Sequence, residues 1–202
     1  MRTGYWIGWV AAMALALGGA ANAQPGQVQP TVPQAAAAPI MAAPAASAAV
    51  SARPADVATV DGIVAALYDV ISGPAGQARD WDRMRSLFAP EGRLMAVGAR
   101  PEGVYALRTM TVDDYISRNA KAFATMGFFE REAARSTEAF GQIVHVFSTY
   151  ESRHAPGDAE PFQRGINSIQ LVNDGKRWWI VNVLWRAEDA SLRLPERYLP
   201  RR

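Results

Sequence analysis

The feature that most restricts the fold of this chain is a change of hydrophobic period at Gly127. Before it, apolar residues recur at helical spacing; after it, they tend to alternate. Helices first and strands last read as one α+β domain. Val57, Val60, Ile63, Val64, Leu67 and Ile71 predict a first helix, with Asp56 as its N-cap and Gly73-Pro74 as its stop. Asp80 opens a shorter helix that buries Trp81, Met84, Leu87 and Phe88 and closes at Pro90. Short strands are expected over Arg93–Gly98 and Val104–Met110. Thr111 and Asp114 then resemble a capping box at the start of a third helix, whose buried stripe is Tyr115, Ile116, Ala120 and Phe123.

Beyond Gly127 the clearest strands are Gln142–Arg153, Phe162–Val172 and Arg177–Arg186. An earlier strand carries Glu130 and Glu132, and its pattern sets no register. Asp174-Gly175 is a strong hairpin signal, because both central positions of a type I′ turn need positive φ. A two-residue turn there puts Leu171 opposite Trp178, Ile169 opposite Ile180 and Asn167 opposite Asn182. In the preceding hairpin Glu151 is expected opposite Arg164, as an ion pair, which places Ser148 beside Asn167.

The domain has an unusual lead-in. Arg2, the apolar run Tyr5–Leu17 and Ala21-Asn22-Ala23 have the form of a secretory signal peptide, residues 1–23; the alternative is a retained N-terminal anchor. Residues 24–54 are almost wholly Ala, Pro and Gln with Arg53 as the only charge, a composition that cannot offset chain entropy by apolar burial and is expected to form a disordered tether. The folded domain is expected over 55–190 and a basic tail, with Arg193, Arg197, Arg201 and Arg202, over 191–202. The expected location is periplasmic or secreted, with no stable membrane anchor once the signal is cleaved.

Composition narrows the chemistry. The chain holds 21 Lys plus Arg against 19 Asp plus Glu, and Arg2 and Arg53 precede the domain, so its folded part is formally neutral and no nucleic-acid partner is expected. The absence of Cys excludes disulfides, thiolate metal sites and cysteine nucleophiles. With only His145 and His154, no histidine-rich metal site and no cofactor are expected.

Two stretches, Asp80-Trp81-Asp82 through Leu87-Phe88-Ala89-Pro90 and Asp174 through Asn182, resemble the nuclear transport factor 2-like (NTF2-like) superfamily, specifically its SnoaL-like branch. The resemblance covers about residues 56–188. It implies an NTF2-like cone of three helices packed on a strongly bent antiparallel sheet, with a cavity in its mouth and dimerisation through the outer face. Applied to the register above, it gives a ligand-binding set of Tyr150, Ser148, Asn167, Asn182 and Trp81. The alternative is a closed core in which these polar groups satisfy one another. The other face carries Trp179, Trp185, Phe147 and His145, expected at a homodimer interface; the alternative is cover by the C-terminal tail.

The expected function is binding of a small apolar molecule, or of a partner, in the cone without catalysis. The alternative is a cofactor-independent isomerase, dehydratase or cyclase. The well-defined strands carry no inward carboxylate, so no catalytic residue is assigned, and the candidate bases are Asp82, Glu130 and Glu132. A carboxylate found inside the cavity beside Tyr150 and away from any Arg favours the enzyme. Cleavage after Ala23 leaves a mature chain beginning at Gln24. The intact mass of periplasmic material checks this, and a chain still beginning at Met1 refutes it.

Overall fold

In a computed structural model, residues 51–200 are described. The expected signal segment and almost all of the tether lie outside them. The helices are α1 (Pro54–Val57), α2 (Val60–Ile71), α3 (Trp81–Leu87) and α4 (Val112–Thr125). The strands are β1 (Phe88–Ala99), β2 (Tyr105–Met110), β3 (Phe129–Phe140), β4 (Ile143–Arg153), β5 (Gln163–Asn173) and β6 (Trp178–Ala187). They form one curved, open sheet in the order β2-β1-β6-β5-β4-β3.

Every neighbouring pair is antiparallel except β1 and β6, which run parallel. This corrects the expectation of a wholly antiparallel sheet. The β1–β2 hairpin and the β3–β6 meander are joined by strands far apart in sequence, and no tight turn dictates the direction of such a pair.

Local chemistry starts each helix. Asp80 caps α3 by accepting the Arg83 N–H at 2.9 Å, and Thr111 and Asp114 close a reciprocal capping box on α4. The first helix departs from expectation, because α1 and α2 break apart and Thr59, not Asp56, caps α2 through the Gly62 N–H at 2.9 Å. Asp56 is only 8% exposed and accepts two hydrogen bonds from Arg83, at 2.7 and 2.9 Å. Arg83 also pairs with Asp69. A carboxylate withdrawn from water needs this counter-charge, and a capping position would not supply it. Arg79 closes the far end of α2, donating to the carbonyls of Ile71, Gly73 and Gln77 at 2.9, 2.6 and 2.7 Å.

Ile63 and Val64 of α2 and Met84 and Leu87 of α3 share one buried core with Val146, Ile169 and Ile180 of the sheet. Between β5 and β6 the loop is longer than a two-residue turn: Asp174 Oδ1 accepts from the Lys176 and Arg177 N–H groups, Gly175 has φ +90°, and the strands close with Asn173 opposite Trp178. Leu171 therefore faces Ile180, a shift of two residues that leaves the sheet faces unchanged. A bulge at Val181 then adds a single residue, so that Gln170 faces Asn182, Ile169 faces Val183 and Asn167 faces Trp185. A one-residue shift exchanges the two faces of everything that follows it. The β4–β5 register follows expectation, with Ser148 opposite Asn167 and Glu151 opposite Arg164. Their charges pair elsewhere, however, Glu151 with Arg131 and Arg153, and Arg164 with Glu188.

The Asp56–Arg83 pair generates a stability prediction. Hydrogen bonding from Arg83 holds the Asp56 carboxyl below its usual range despite burial, so its contribution is present at neutral pH and is lost as pH falls through that depressed value. Asp56→Ala leaves Arg83 short of its main partner and should cost about 3 kcal/mol at pH 7. Urea unfolding at pH 7 and pH 3 measures the loss, which should be larger at pH 7.

Candidate functional site

The helix-bearing face of the sheet holds a cavity of about 280 Å³. Its floor is apolar, with Leu94, Met110 and Val183 from the sheet and Leu67, Ile71 and Met84 from the helices. One row of backbone partners crosses the sheet beside it: Arg108 on β2, Ala96 on β1, Trp185 on β6, Asn167 on β5 and Ser148 on β4. Helix α4 contributes Tyr115, Arg118, Asn119 and Phe123, which helical spacing brings to one side.

Glu130 on β3 lines this cavity. It faces Ser152, its partner on β4, and accepts the Ser152 hydroxyl at 2.8 Å. The amide nitrogen of Asn167 lies 3.5 Å from its other oxygen. Burial raises the carboxyl from its ordinary value to about 7, because these two hydrogen bonds offset only part of the cost of holding charge away from water. Among the described residues Glu130 makes no ion pair with an Arg. The same residue also borders a larger, more open hollow of about 710 Å³ between α2, β3 and the 154–161 loop.

Tyr150 is 2% exposed and lines the cavity, and its hydroxyl is buried with no hydrogen-bond partner. A buried hydroxyl left unpaired costs free energy that a bound acceptor would recover. Gly165, directly opposite on β5, makes the room: a Cβ there would meet the Tyr150 hydroxyl at 2.6 Å and the Arg186 carbonyl at 2.4 Å. From the cavity wall a polar chain runs back into the core and is complete. Asn167 donates to the Tyr68 hydroxyl at 3.1 Å, Tyr68 and Ser148 share a 2.7 Å hydrogen bond, and Ser148 donates to Glu132.

The structure divides the expected ligand set. Tyr150 and Asn167 line the cavity together. Ser148 is fully buried behind them and bonded within the protein. Trp81 stacks on Phe123 at 6.2 Å, behind the wall that Phe123 forms. Asn182 is a correction: the Val181 bulge turns it to the outer face opposite Gln170, so it is not the neighbour of Asn167. Trp185 takes the place expected for Asn182 and meets Tyr115 edge-on at 6.3 Å over the cavity.

That corrects the outer-face set as well. Trp185 points inward, and Phe147 lies against Tyr198 of the C-terminal segment at 5.1 Å, while Thr149 donates to the Tyr198 carbonyl at 2.6 Å. The tail thus covers part of the face assigned to a dimer. His145 bonds Ser168 at 2.9 Å. Trp179 is outward, covered by the Arg177 guanidinium at 3.6 Å and donating to Asp174. Of the candidate bases, Asp82 pairs with Arg85, and Glu132 with Arg135; Glu130 alone is inside the cavity. Among the described residues no three metal-ligating side chains converge. Sequence reasoning missed Trp185, Arg108 and Arg118 as lining residues, and the period-2 relation of Arg108 to the buried Met110 was a signal that could have revealed one of them.

Two substitutions test this geometry. Since the folded state holds the Glu130 proton up to about pH 7 and the unfolded chain releases it near 4.5, Glu130 lowers stability progressively as pH rises between those values. Glu130→Gln should therefore stabilise by up to about 3 kcal/mol above pH 7 and have little effect below pH 4.5, on the order of 1.4 kcal/mol per pKa unit; melting curves across pH 4–8 check the sign. Gly165→Ala should destabilise by about 1–3 kcal/mol through overpacking against Tyr150 and the Arg186 carbonyl, read by chemical denaturation.

Comparison with known proteins finds likeness in solved structures. No family model matches the chain, and no curated protein matches it. A protein of unknown function with a cystatin-like fold from Nostoc punctiforme aligns at 9% identity and a TM-score of 0.49, over 65% of this chain and 90% of that one. An NTF2-like protein of unknown function from Silicibacter pomeroyi aligns at 20% identity and 0.43, over 65% and 94%. Another from Methylobacillus flagellatus aligns at 13% identity and 0.42, over 65% and 95%. The described helices and the curved, open six-stranded sheet themselves make the α+β architecture that the resemblance implied.

Proposed function

We propose that the cavity binds a small, mostly apolar molecule bearing a carbonyl group, and that Glu130 transfers a proton to or from the carbon beside that carbonyl without a cofactor. The observation that carries this reading is the pairing, in one apolar cavity, of a carboxyl raised to about 7 with a buried tyrosine hydroxyl that has no partner. A general base works best when its pKa is near the working pH, and a hydroxyl aimed at a substrate oxygen stabilises the charge that develops there. Burial keeps the Tyr150 hydroxyl well above its ordinary pKa, so it serves as a donor and stays protonated.

The reading is tested with 4-phenyl-2-butanone in D₂O, following deuterium entry beside the carbonyl by NMR. Exchange catalysed by the protein should rise with pH and level off above about 7. Glu130→Gln should abolish it, and Tyr150→Phe should slow it by about 10²-fold, the scale of one lost donor to a developing oxyanion. Binding of the ketone with no exchange above the buffer rate rejects proton transfer and leaves a binding protein. Failure to bind the ketone or related arylalkyl molecules rejects the cavity reading itself.

A further inference from the structure

The lining of the cavity contains only three charged side chains: Glu130, Arg108 and Arg118. The two arginines come from different elements. Arg108 lies on β2 two residues from the buried Met110, hence on the same sheet face, and Arg118 lies on α4 one turn beyond Tyr115. Both are exposed while lining the cavity, so they stand where it opens to solvent. Among the described residues neither closes an ion pair. The carboxylate one turn before Arg118, that of Asp114, is already held by the Thr111 N–H at 3.1 Å and its hydroxyl at 2.8 Å in the capping box.

Most other arginines around the domain are engaged. Arg83, Arg85, Arg131, Arg135, Arg153, Arg164 and Arg186 each have an acidic partner, and Arg79 is spent on backbone carbonyls. Two guanidinium groups without an ion-pair partner, on different elements lining one largely apolar cavity, are placed to receive an anion from outside the protein. A guanidinium offers paired donors that match a carboxylate. The charge inside the cavity has the opposite sign, since Glu130 bears a negative charge above about pH 7 and repels an anionic head from the floor.

We infer that the molecule taken by this cavity is an organic acid, its carboxylate held at the rim by Arg108 and Arg118 and its apolar body directed inward past Tyr115 and Trp185 toward Tyr150 and Glu130. The inference rests on the proposed binding function and narrows its substrate to a keto acid: the rim fixes the head, and the carbonyl is presented to the Tyr150 hydroxyl. Polarity along the cavity thereby sets one orientation. Rim charges outside and a carboxyl inside make the reversed pose unfavourable at both ends.

The test compares 4-phenylbutanoate with 4-phenylbutanamide, which share a body and differ in the charge of the head, by calorimetry on the whole protein at pH 7.5. The acid should bind about tenfold more tightly than the amide, and 0.5 M NaCl should shrink that preference. Arg108→Gln with Arg118→Gln should bring the affinities for acid and amide together, whatever either becomes; both side chains are exposed, so the fold should persist, and a melting curve confirms it. Equal affinity of the wild-type protein for the two probes, or a preference that survives in the double variant, overturns the organic-acid assignment and leaves the cavity reading standing. Failure of both probes to bind the wild-type protein overturns the cavity reading, and this inference with it.

Discussion

Helix α2 lies across a sheet that could not stay folded with its inner face bare, and the burial of Ile63, Val64, Leu67 and Ile71 with Val146, Ile169 and Ile180 is the interaction on which the rest depends. Burying such side chains contributes about 1.5–3 kcal/mol each. The same packing brings Tyr68 against Ser148 and Asn167, so the polar chain behind the cavity is a by-product of where an apolar helix must sit. Arg79 holds the end of that helix by gathering the carbonyls of Ile71, Gly73, Pro74 and Gln77, and Asp56 of α1, just ahead of its start, is tied to α3 through Arg83. Both charges are structural.

The apolar contacts do not fill the space between α4 and the sheet. There, large residues arch over a hollow: Trp185 meets Tyr115, and Phe123 stacks between Trp81 and Phe128. Gly165 withholds the side chain that would otherwise occupy the place of the Tyr150 hydroxyl. A closed core would have paired that hydroxyl, because buried polar groups are rarely left without partners. Its lack of a partner, in the cavity that Glu130 also lines, is the observation on which the proposed proton transfer rests.

Strand β6 shows how one residue redistributes side chains between the two faces of a sheet. Up to Ile180 the alternation read from the hairpin holds its faces, even though the turn is two residues longer than a type I′ turn. Past the bulge at Val181 the faces exchange, which sends Asn182 outward and brings Val183 and Trp185 inward. Two expectations fail together for this one reason, the cavity role of Asn182 and the interface role of Trp185. Strand β3 shows the converse. Its alternation is indistinct, so Glu130 could be named only as one of three candidate carboxylates, and what separates it is that it lines the cavity while Asp82 and Glu132 pair with arginines.

Sequence alone determined what local interactions determine. The capping residues Asp80 and Thr111, the helical stripes, the change of period at Gly127 and the β4–β5 register are all readable because each depends on neighbours a few residues away or on an alternation unbroken along a strand. The tertiary structure decided whatever depended on distant chain: the parallel pairing of β1 with β6, the placing of Tyr198 over Phe147, and the burial that raises the Glu130 carboxyl. A bulge belongs with these. It is set by how two strands accommodate curvature against the helices packed on them, a requirement of the assembled sheet that no run of residues in β6 expresses by itself.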